Sequence, residues 1–415
     1  MSRLVDVVAP HRLGTGFRWL LASSWLSNLG DGLALAAGPL LVASLTDDAR
    51  IVALAATLQW LPPLLFGLGA GVASDRLDRR LLVVVVNGLR AGVLMVLATA
   101  VLTDHVGVRG VLLALFLGSI AEVFADNTTG TLLPMLVSRS DLAVGNARLQ
   151  AGFITMNQLA GPSLGAGLFA VGSFWPFLTQ AALVALGATT ATRIVLPSAS
   201  AVPGRRRSVR RDLAEGFGWV RHHRAVRTLM VTIFVFNITF GAAWGVLVLY
   251  ATQRLDMGAV GFGALTTVSA LGGLVGTLGY GALTRRVSLT NLMRVGLVVE
   301  TLTHLALALT TDPAVALAVF FVFGAHAFVW GTTAVTVRQR AVPTALQGRV
   351  GAVYGLGVYG GLVLGSAVGG MLARHLGVVA PFWFGFVGSA AFVVLVWHDL
   401  RHVAHDDESA TAASA

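Results

Sequence analysis

The chain has 415 residues, of which 56% are hydrophobic and only 12% are charged. This polar share is too small to cover a soluble protein of that length, so a soluble globular fold is excluded and a membrane protein is predicted. The net charge of +10 therefore indicates contact with anionic lipid headgroups rather than nucleic acid, and the absence of cysteine excludes disulfides and thiolate-bound metals.

Hydrophobic windows recur along the whole chain. A membrane-spanning helix needs about 20 mostly apolar residues. The qualifying windows are 17–43, 50–73, 81–103, 110–136, 144–170, 173–195, 229–251, 260–284, 290–310, 313–336, 350–373 and 377–398. They predict an all-α polytopic membrane protein with twelve transmembrane helices in two sets of six.

These windows divide the chain into five regions. They are an N-terminal segment (1–16), a first six-helix bundle (17–196), a linker (197–228), a second six-helix bundle (229–398) and a polar tail (399–415) that is expected to be disordered. The N-terminal segment lacks the features of a signal peptide, so we expect the first span to be retained. Arginines concentrate in the loops that are cytoplasmic when both termini lie inside, which predicts that orientation.

The linker contains the largest break in hydrophobicity. Val209, Leu213, Phe217 and Val220 recur at helical spacing with charged residues between them. This pattern predicts an amphipathic helix that lies on the cytoplasmic membrane surface. The alternative is a solvated charged loop.

A short motif follows the second span and recurs in degenerate form after the eighth. The first copy runs from Gly71 through Asp75, Arg76 and Arg79 to Arg80, and the second copy begins at Gly281. The recurrence predicts a tandem repeat of the two six-helix sets. The second copy has Arg285 where the first has Asp75, so a symmetric second contact is in doubt.

Ionisable side chains inside spans are costly and usually serve a function or face a partner. The candidates for proton coupling are Asp31, Glu122, Asp126, Glu300 and His304, and the spans also contain Arg90 and His326. Asp31 lies between Gly30 and Gly32, which we expect to leave room for water or substrate.

Two of these acidic residues have a partner four residues away on the same helix face. Glu122 and Asp126 cannot both ionise cheaply in a low dielectric, so one should hold a proton that it exchanges during transport. Glu300 and His304 have the same spacing and suit a proton relay. Alternatively, the pairs neutralise each other or Arg90 and never titrate.

Two spans contain small-residue motifs that are typical of close helix packing and bending. The residues are Gly161, Pro162 and Gly165 in the fifth span, and Gly361, Gly365, Gly369 and Gly370 in the eleventh. A packing role without meaning for transport direction is the alternative to an exporter motif.

The motif at Gly71 resembles the loop signature of the major facilitator superfamily, whose members have twelve helices in two halves. Two stretches indicate a branch of this superfamily. Residues 27–31, which end at Asp31, and residues 212–216 resemble sequence motifs of the exporters related to enterobactin and macrolide efflux proteins. The resemblance implies a major facilitator fold. It also implies that Gly71 approaches the eleventh helix and that Asp75 accepts from N–H groups near Gly348 and Arg349, as a cytoplasmic latch. A simple charged turn is the alternative.

The same resemblance implies a substrate cavity between the halves. Candidate lining residues are Asn28, Gln59, Asn157, Asn237, Trp244 and His326. Aromatic and amide side chains favour a hydrophobic or amphiphilic substrate. A zinc site formed by Glu300, His304 and His326 is a remote alternative, and we expect no metal.

We therefore expect a proton-coupled exporter that works by alternating access on a drug, macrolide or siderophore. It would act as a monomer in a bacterial-type cell membrane, without a cofactor and with the proton gradient as its energy source. No phosphate-binding loop is present, so ATP hydrolysis is not expected. Uptake of a nutrient or lipid is the alternative, and a receptor or intramembrane enzyme is more remote.

Overall fold

A computed structural model describes residues 10–196 and 209–400, and these residues form helices joined by short turns, without a strand among them. Predictions for the first residues of the N-terminal segment, the first part of the linker and most of the tail fall on residues 1–9, 197–208 and 401–415. Those residues lie outside the described part.

The first half contains seven labelled helices. They are α1 (Gly14–Leu45), α2 (Ala49–Arg76), α3 (Arg79–Leu102), α4 (Val108–Leu136), α5 (Leu142–Gly152), α6 (Gly161–Val171) and α7 (Trp175–Ala191). A π-helical stretch, Phe153–Ala160, joins α5 to α6. Pro162 is the second residue of α6, where its missing N–H removes a backbone hydrogen bond.

The second half begins with the amphipathic segment and repeats the same order. The helices are α8 (Val209–His222), α9 (Arg224–Trp244), α10 (Ala259–Thr284), α11 (Leu289–Leu309), α12 (Pro313–Ala341), α13 (Gln347–Leu376) and α14 (Ala380–Val396). After α9 the chain continues through a helical turn, Leu247–Leu249, and a π-helical turn, Tyr250–Arg254.

Every hydrophobic window forms helix, but not every helix has full spanning length. Nine helices among the described residues are long and apolar enough to cross a membrane. The other three windows correspond to the interrupted α5–α6 segment and to α7 and α14, which have 17 residues each. A 17-residue helix is about 26 Å long at 1.5 Å per residue, slightly less than the hydrocarbon thickness.

The described residues cluster into two compact units that follow the two halves with two exceptions. Unit 1 comprises the described residues within Met1–Thr46, Leu65–Arg205 and Ala259–Thr267, and unit 2 comprises those within Asp47–Leu64, Arg206–Gly258 and Val268–Ala415. The first part of α2 thus belongs to unit 2, and the first part of α10 belongs to unit 1.

Helix pairing within the units is repeated. In unit 1, α1 packs against α6 and α7, and α3 packs against α4 and α7. In unit 2, α9 packs against α13 and α14, and α11 packs against α12 and α14. The tandem repeat in the sequence is therefore also a repeat of helix contacts.

The amphipathic segment is helical, but its apolar face is not free to lie on a membrane as predicted. Val220 packs with Val226 of α9 and Val350 of α13 in one apolar cluster, and Leu213 packs against that cluster. Phe217 is 64% exposed. The predicted apolar stripe is therefore only partly buried, because one part of it packs on the beginning of α13 while Phe217 stays exposed.

Candidate functional site

A buried ion pair joins α1 to α3 in unit 1. Nη2 of Arg90 contacts Oδ1 of Asp31, and the two side chains are only 3% and 4% exposed. The same Nη2 lies 3.4 Å from Oε2 of Glu122 on α4. Three helices thus direct charged groups to one point. We call Asp31, Arg90, Glu122 and Asp126 the acid–arginine site.

The acid–arginine site contains more acid than base. Asp126 lies one turn beyond Glu122 on α4 and is exposed, and the Glu122 side chain is 36% exposed. With all three carboxyl groups ionised, a single guanidinium would leave two uncompensated negative charges. Because such charges are costly in a low dielectric, the site is electrostatically unbalanced unless its carboxyl groups take up protons.

The glycines beside Asp31 do not open space, contrary to our expectation. A methyl group on Gly32 would lie 2.6 Å from the carbonyl oxygen of Asn157 and 2.8 Å from Cα of Gly161. One on Gly30 would lie 3.3 Å from Cγ of Gln180. These glycines allow α1 to approach the π-helical stretch, α6 and α7 closely, and this approach holds Asp31 facing Arg90.

Arg90 is the member of the site that we did not choose as a coupling candidate. The signal was present, because an arginine in the middle of an apolar helix requires a counter-ion inside the protein. Its Nε also has no hydrogen-bond partner among the described residues. The choice among Asp31, Glu122 and Asp126 as its partner depends on how three helices are rotated.

Glu300 and His304 form no direct hydrogen bond among the described residues, so the predicted relay between them stays a prediction. Glu300 instead faces His326 of α12, with 3.5 Å between Oε2 and Nε2. His304 is 1% exposed, and neither of its ring nitrogens has a hydrogen-bond partner among the described residues. The His304 ring packs against Gly385 of α14, where a methyl group would lie 2.7 Å from Nδ1. Two residues on the same face of one helix need not contact each other when a neighbouring helix offers one of them a closer partner.

The remote zinc alternative has no support in the described part of the chain. Within residues 10–196 and 209–400, no group of three or more His, Asp or Glu side chains is arranged to hold a metal ion.

The loop motif makes a network of contacts inside unit 1. Arg79 pairs with Asp75, with 3.2 Å between Nη2 and Oδ1, and its Nε donates to the carbonyl of Ser74. Arg80 donates to the carbonyl of Ile194 at the end of α7, and Arg76 is exposed. A residue that we missed, Asp78, caps α3 by accepting from the backbone N–H of Leu81 at 2.8 Å. The second copy has an equivalent cap at Ser288.

Gly71 has no close-packed neighbour in its own unit, since a methyl group there would meet no described atom within 4 Å. The Asp75 side chain is 72% exposed. The latch between Asp75 and the start of the eleventh span, now α13, stays a prediction.

The other predicted glycine motifs lie at close helix contacts. In unit 1, a methyl group on Gly161 would lie 2.4 Å from Cα of Gly32, and one on Gly165 would lie 2.3 Å from the Leu33 carbonyl oxygen. Pro162 is buried beside them.

In unit 2, the glycines of α13 lie on the surface of α9. A methyl group on Gly361, Gly365 or Gly369 would lie within 2.6 Å of a carbonyl oxygen of α9, and one on Gly370 would lie 2.6 Å from Cβ of Ala53.

The predicted cavity residues have different surroundings. Asn28 donates to the Ser24 carbonyl, Asn157 is 6% exposed, and Asn237 donates to the Ile233 carbonyl. Gln59 is half-buried in unit 2, and His326 faces Glu300. Trp244 packs against Phe240, Phe320 and Phe323 in an aromatic cluster. The cavity itself stays a prediction.

Comparison with known families gives a match over nearly the whole chain. A major facilitator family model described as transmembrane secretion effector matches residues 6–414. The chain belongs to this family. It is therefore a multi-pass membrane transporter of the efflux branch of the major facilitator superfamily, as the loop motif and the Asp212–Gly216 stretch predicted.

One relative of the chain is a multidrug efflux pump. The chain is 27% identical over 388 residues to the multidrug efflux pump Tap of Mycolicibacterium fortuitum, and the alignment covers 88% of this chain and 90% of that protein.

Solved transporter structures have the same fold. A variant of the nucleoside transporter NupG has a TM-score of 0.75 at 12% identity, with 94% of this chain and 100% of that chain covered. A bacterial homologue of the iron transporter ferroportin in an inward-facing state has a TM-score of 0.71 at 16% identity, with 91% and 98% covered. These similarities establish the fold of this family member and leave its substrate open.

Proposed function

We propose that this secretion effector exports a hydrophobic or amphiphilic small molecule in exchange for protons. The observation that carries the proposal is the acid–arginine site, in which the single buried guanidinium of Arg90 faces Asp31, Glu122 and the nearby Asp126. The relation to a multidrug efflux pump supports export as the direction. No cofactor is required, because the proton gradient supplies the energy.

In this mechanism the exposed carboxylates bind the proton and Asp31 positions the guanidinium. Glu122 and Asp126 are the more exposed carboxyl groups of the site, whereas Asp31 is almost fully buried. When Glu122 takes up a proton from the outer aqueous phase, its attraction for Arg90 weakens and α4 loses a charged contact with α3. Release of the proton on the inner side restores that contact. Such a change biases the helices between the two states of alternating access.

The test is the accumulation of ethidium, a macrolide and a siderophore in cells that express the full chain. We expect lower accumulation with the wild type than with empty cells, and loss of the effect with a proton uncoupler. Asp126→Asn should abolish the effect without leaving Arg90 unpaired. Asp31→Asn should also abolish it, at the risk of unfolding, since removing one partner of a buried pair costs about 3–5 kcal/mol.

Asp104→Asn is the matched control. Asp104 is exposed in the α3–α4 turn at φ 55, a conformation that asparagine tolerates. This variant should transport like the wild type. Unchanged accumulation of all three compounds would reject export of these classes, and proton flux in the same direction as the compound in vesicles would establish uptake instead.

A further inference from the structure

A second cluster of buried ionisable groups lies in unit 2, apart from the acid–arginine site. Glu300 of α11 and His326 of α12 face each other at 3.5 Å, and their side chains are 14% and 9% exposed. His304 lies one turn along α11 from Glu300 and is buried. We call Glu300, His304 and His326 the acid–histidine site.

The nitrogens around this site are unsatisfied. Neither ring nitrogen of His304 or His326 has a hydrogen-bond partner among the described residues, and Nε1 of Trp330 is also without one. Buried polar atoms normally have partners, so these nitrogens are free to exchange a proton or to bind water. The rings are held in place by close contacts, since a methyl group on Gly296 would lie 2.7 Å from Cδ1 of Trp330 and 3.4 Å from Nδ1 of His326.

The acid–histidine site has nearly the same place in its repeat as the acid–arginine site. Arg90 lies eleven residues after the first residue of α3, and Glu300 lies eleven residues after the first residue of α11. Glu122 lies fourteen residues into α4, and His326 lies thirteen residues into α12. Each pair joins the third and fourth spans of its half, at 3.4 Å and 3.5 Å. The acid is on the fourth span in the first half and on the third span in the second.

We propose that the acid–histidine site is a second proton-binding site, which exchanges its own proton with water. The proton forms an N–H bond on His326 or an O–H bond on Glu300, and it returns to water when the site opens, with no redox change. The coupling of this proton to export rests on the proposed function, whereas its binding does not.

No other charge among the neighbouring described side chains compensates the pair. On α11 the remaining titratable groups are His304 and Arg294, and Arg294 donates to the carbonyl of Trp397 at 2.8 Å. The facing helix α14 contains no titratable residue between Ala380 and Val396. On α12 only Arg338 and Arg340 are charged, and both lie in its last turn. A single proton shared by Glu300 and His326 therefore makes the pair neutral, the state that a low dielectric favours.

The test counts protons on the purified full chain in detergent, by potentiometric titration from about pH 9 to about pH 5, the range in which histidine titrates. His105→Gln removes an exposed histidine and calibrates the loss of one proton. We expect Glu300→Gln to lower the uptake by about one proton, because it removes the negative charge that the proton neutralises, whereas His326→Gln leaves Glu300 to bind the proton alone.

Unchanged proton uptake in Glu300→Gln, with the expected loss in His105→Gln, would overturn the proposal. Where Glu300→Gln does not fold, the infrared measurement on Glu300→Asp decides. Protonation of the carboxyl group at position 300 can be measured independently, by comparing the infrared carboxylic-acid band of the wild type with that of Glu300→Asp. Failure of the wild type to export ethidium, the macrolide and the siderophore would reject the proposed function and leave the proton count valid.

Discussion

Arg349, the third residue of α13, binds the linker helix through Asp212, with 2.9 Å between Nε and Oδ1. Its Nη1 also lies 2.5 Å from Oε1 of Glu215. Gly216 follows these two acids along α8. It lies so close to α13 that a methyl group on it would be 2.7 Å from the Arg349 carbonyl oxygen. The Asp212–Gly216 stretch therefore attaches the linker helix to α13.

Arg349→Gln should loosen α8. Two partly exposed pairs contribute about 0–1 kcal/mol each, so we expect trypsin to cleave after the exposed Arg210 and Arg211 several-fold faster than in the wild type. Arg224→Gln is the control, because it removes a different surface pair, with Asp399. Equal cleavage rates in all three proteins would show that the apolar contacts alone hold α8.

Gly161→Ala should destabilise unit 1, because its methyl group would lie 2.4 Å from Cα of Gly32 on α1. Overpacking of this kind costs about 1–3 kcal/mol, which lowers the thermal midpoint in detergent. Gly167→Ala on the same helix is the control, since its methyl group meets nothing within 4 Å. A midpoint for Gly161→Ala equal to that of Gly167→Ala would contradict the close contact.

Asp75→Asn should leave the thermal midpoint unchanged and reduce transport. The contact of Asp75 with Arg79 is largely exposed and contributes about 0–1 kcal/mol, so any large loss of transport comes from the predicted latch. Asp78→Ala is the contrasting variant, since loss of the α3 cap costs about 0.5–2 kcal/mol of stability. Normal transport by Asp75→Asn would reject the latch.

Asp48 should make stability depend on acid pH. The side-chain hydrogen bond from Arg50, with further attraction from Arg374, lowers the pKa of Asp48 from 3.8 to about 2. A lowered pKa in the folded state stabilises the fold at pH values above the unfolded value, and this contribution disappears as the pH falls from about 4 to about 2.

The measurement is the thermal midpoint of wild type and Asp48→Asn from neutral pH to about pH 2. The two midpoints should differ most near neutral pH and converge near pH 2, while Asp104→Asn follows the wild type throughout. A constant difference at every pH would mean that the charge of Asp48 does not stabilise the fold.

Several parts of the fold follow from local sequence. The hydrophobic windows predicted the helices, of which nine among the described residues are long enough to span a membrane. The small residues from Gly361 to Gly369 identified the face of α13 that contacts α9, and the repeated loop motif indicated two equivalent halves. These features depend on hydropathy and on helical periodicity, and both are properties of neighbouring residues.

The partners of the charged side chains followed from no such pattern. Arg90 with Asp31, Glu300 with His326, and Arg349 with Asp212 each join different helices, and the close contact between Gly32 and Gly161 reversed our interpretation of the glycines beside Asp31. The sequence by itself determined that the chain is a multi-pass membrane protein, its family and the cost of burying each charge. Only the tertiary structure decided which charges meet, because that depends on the rotation and spacing of helices that are far apart along the chain.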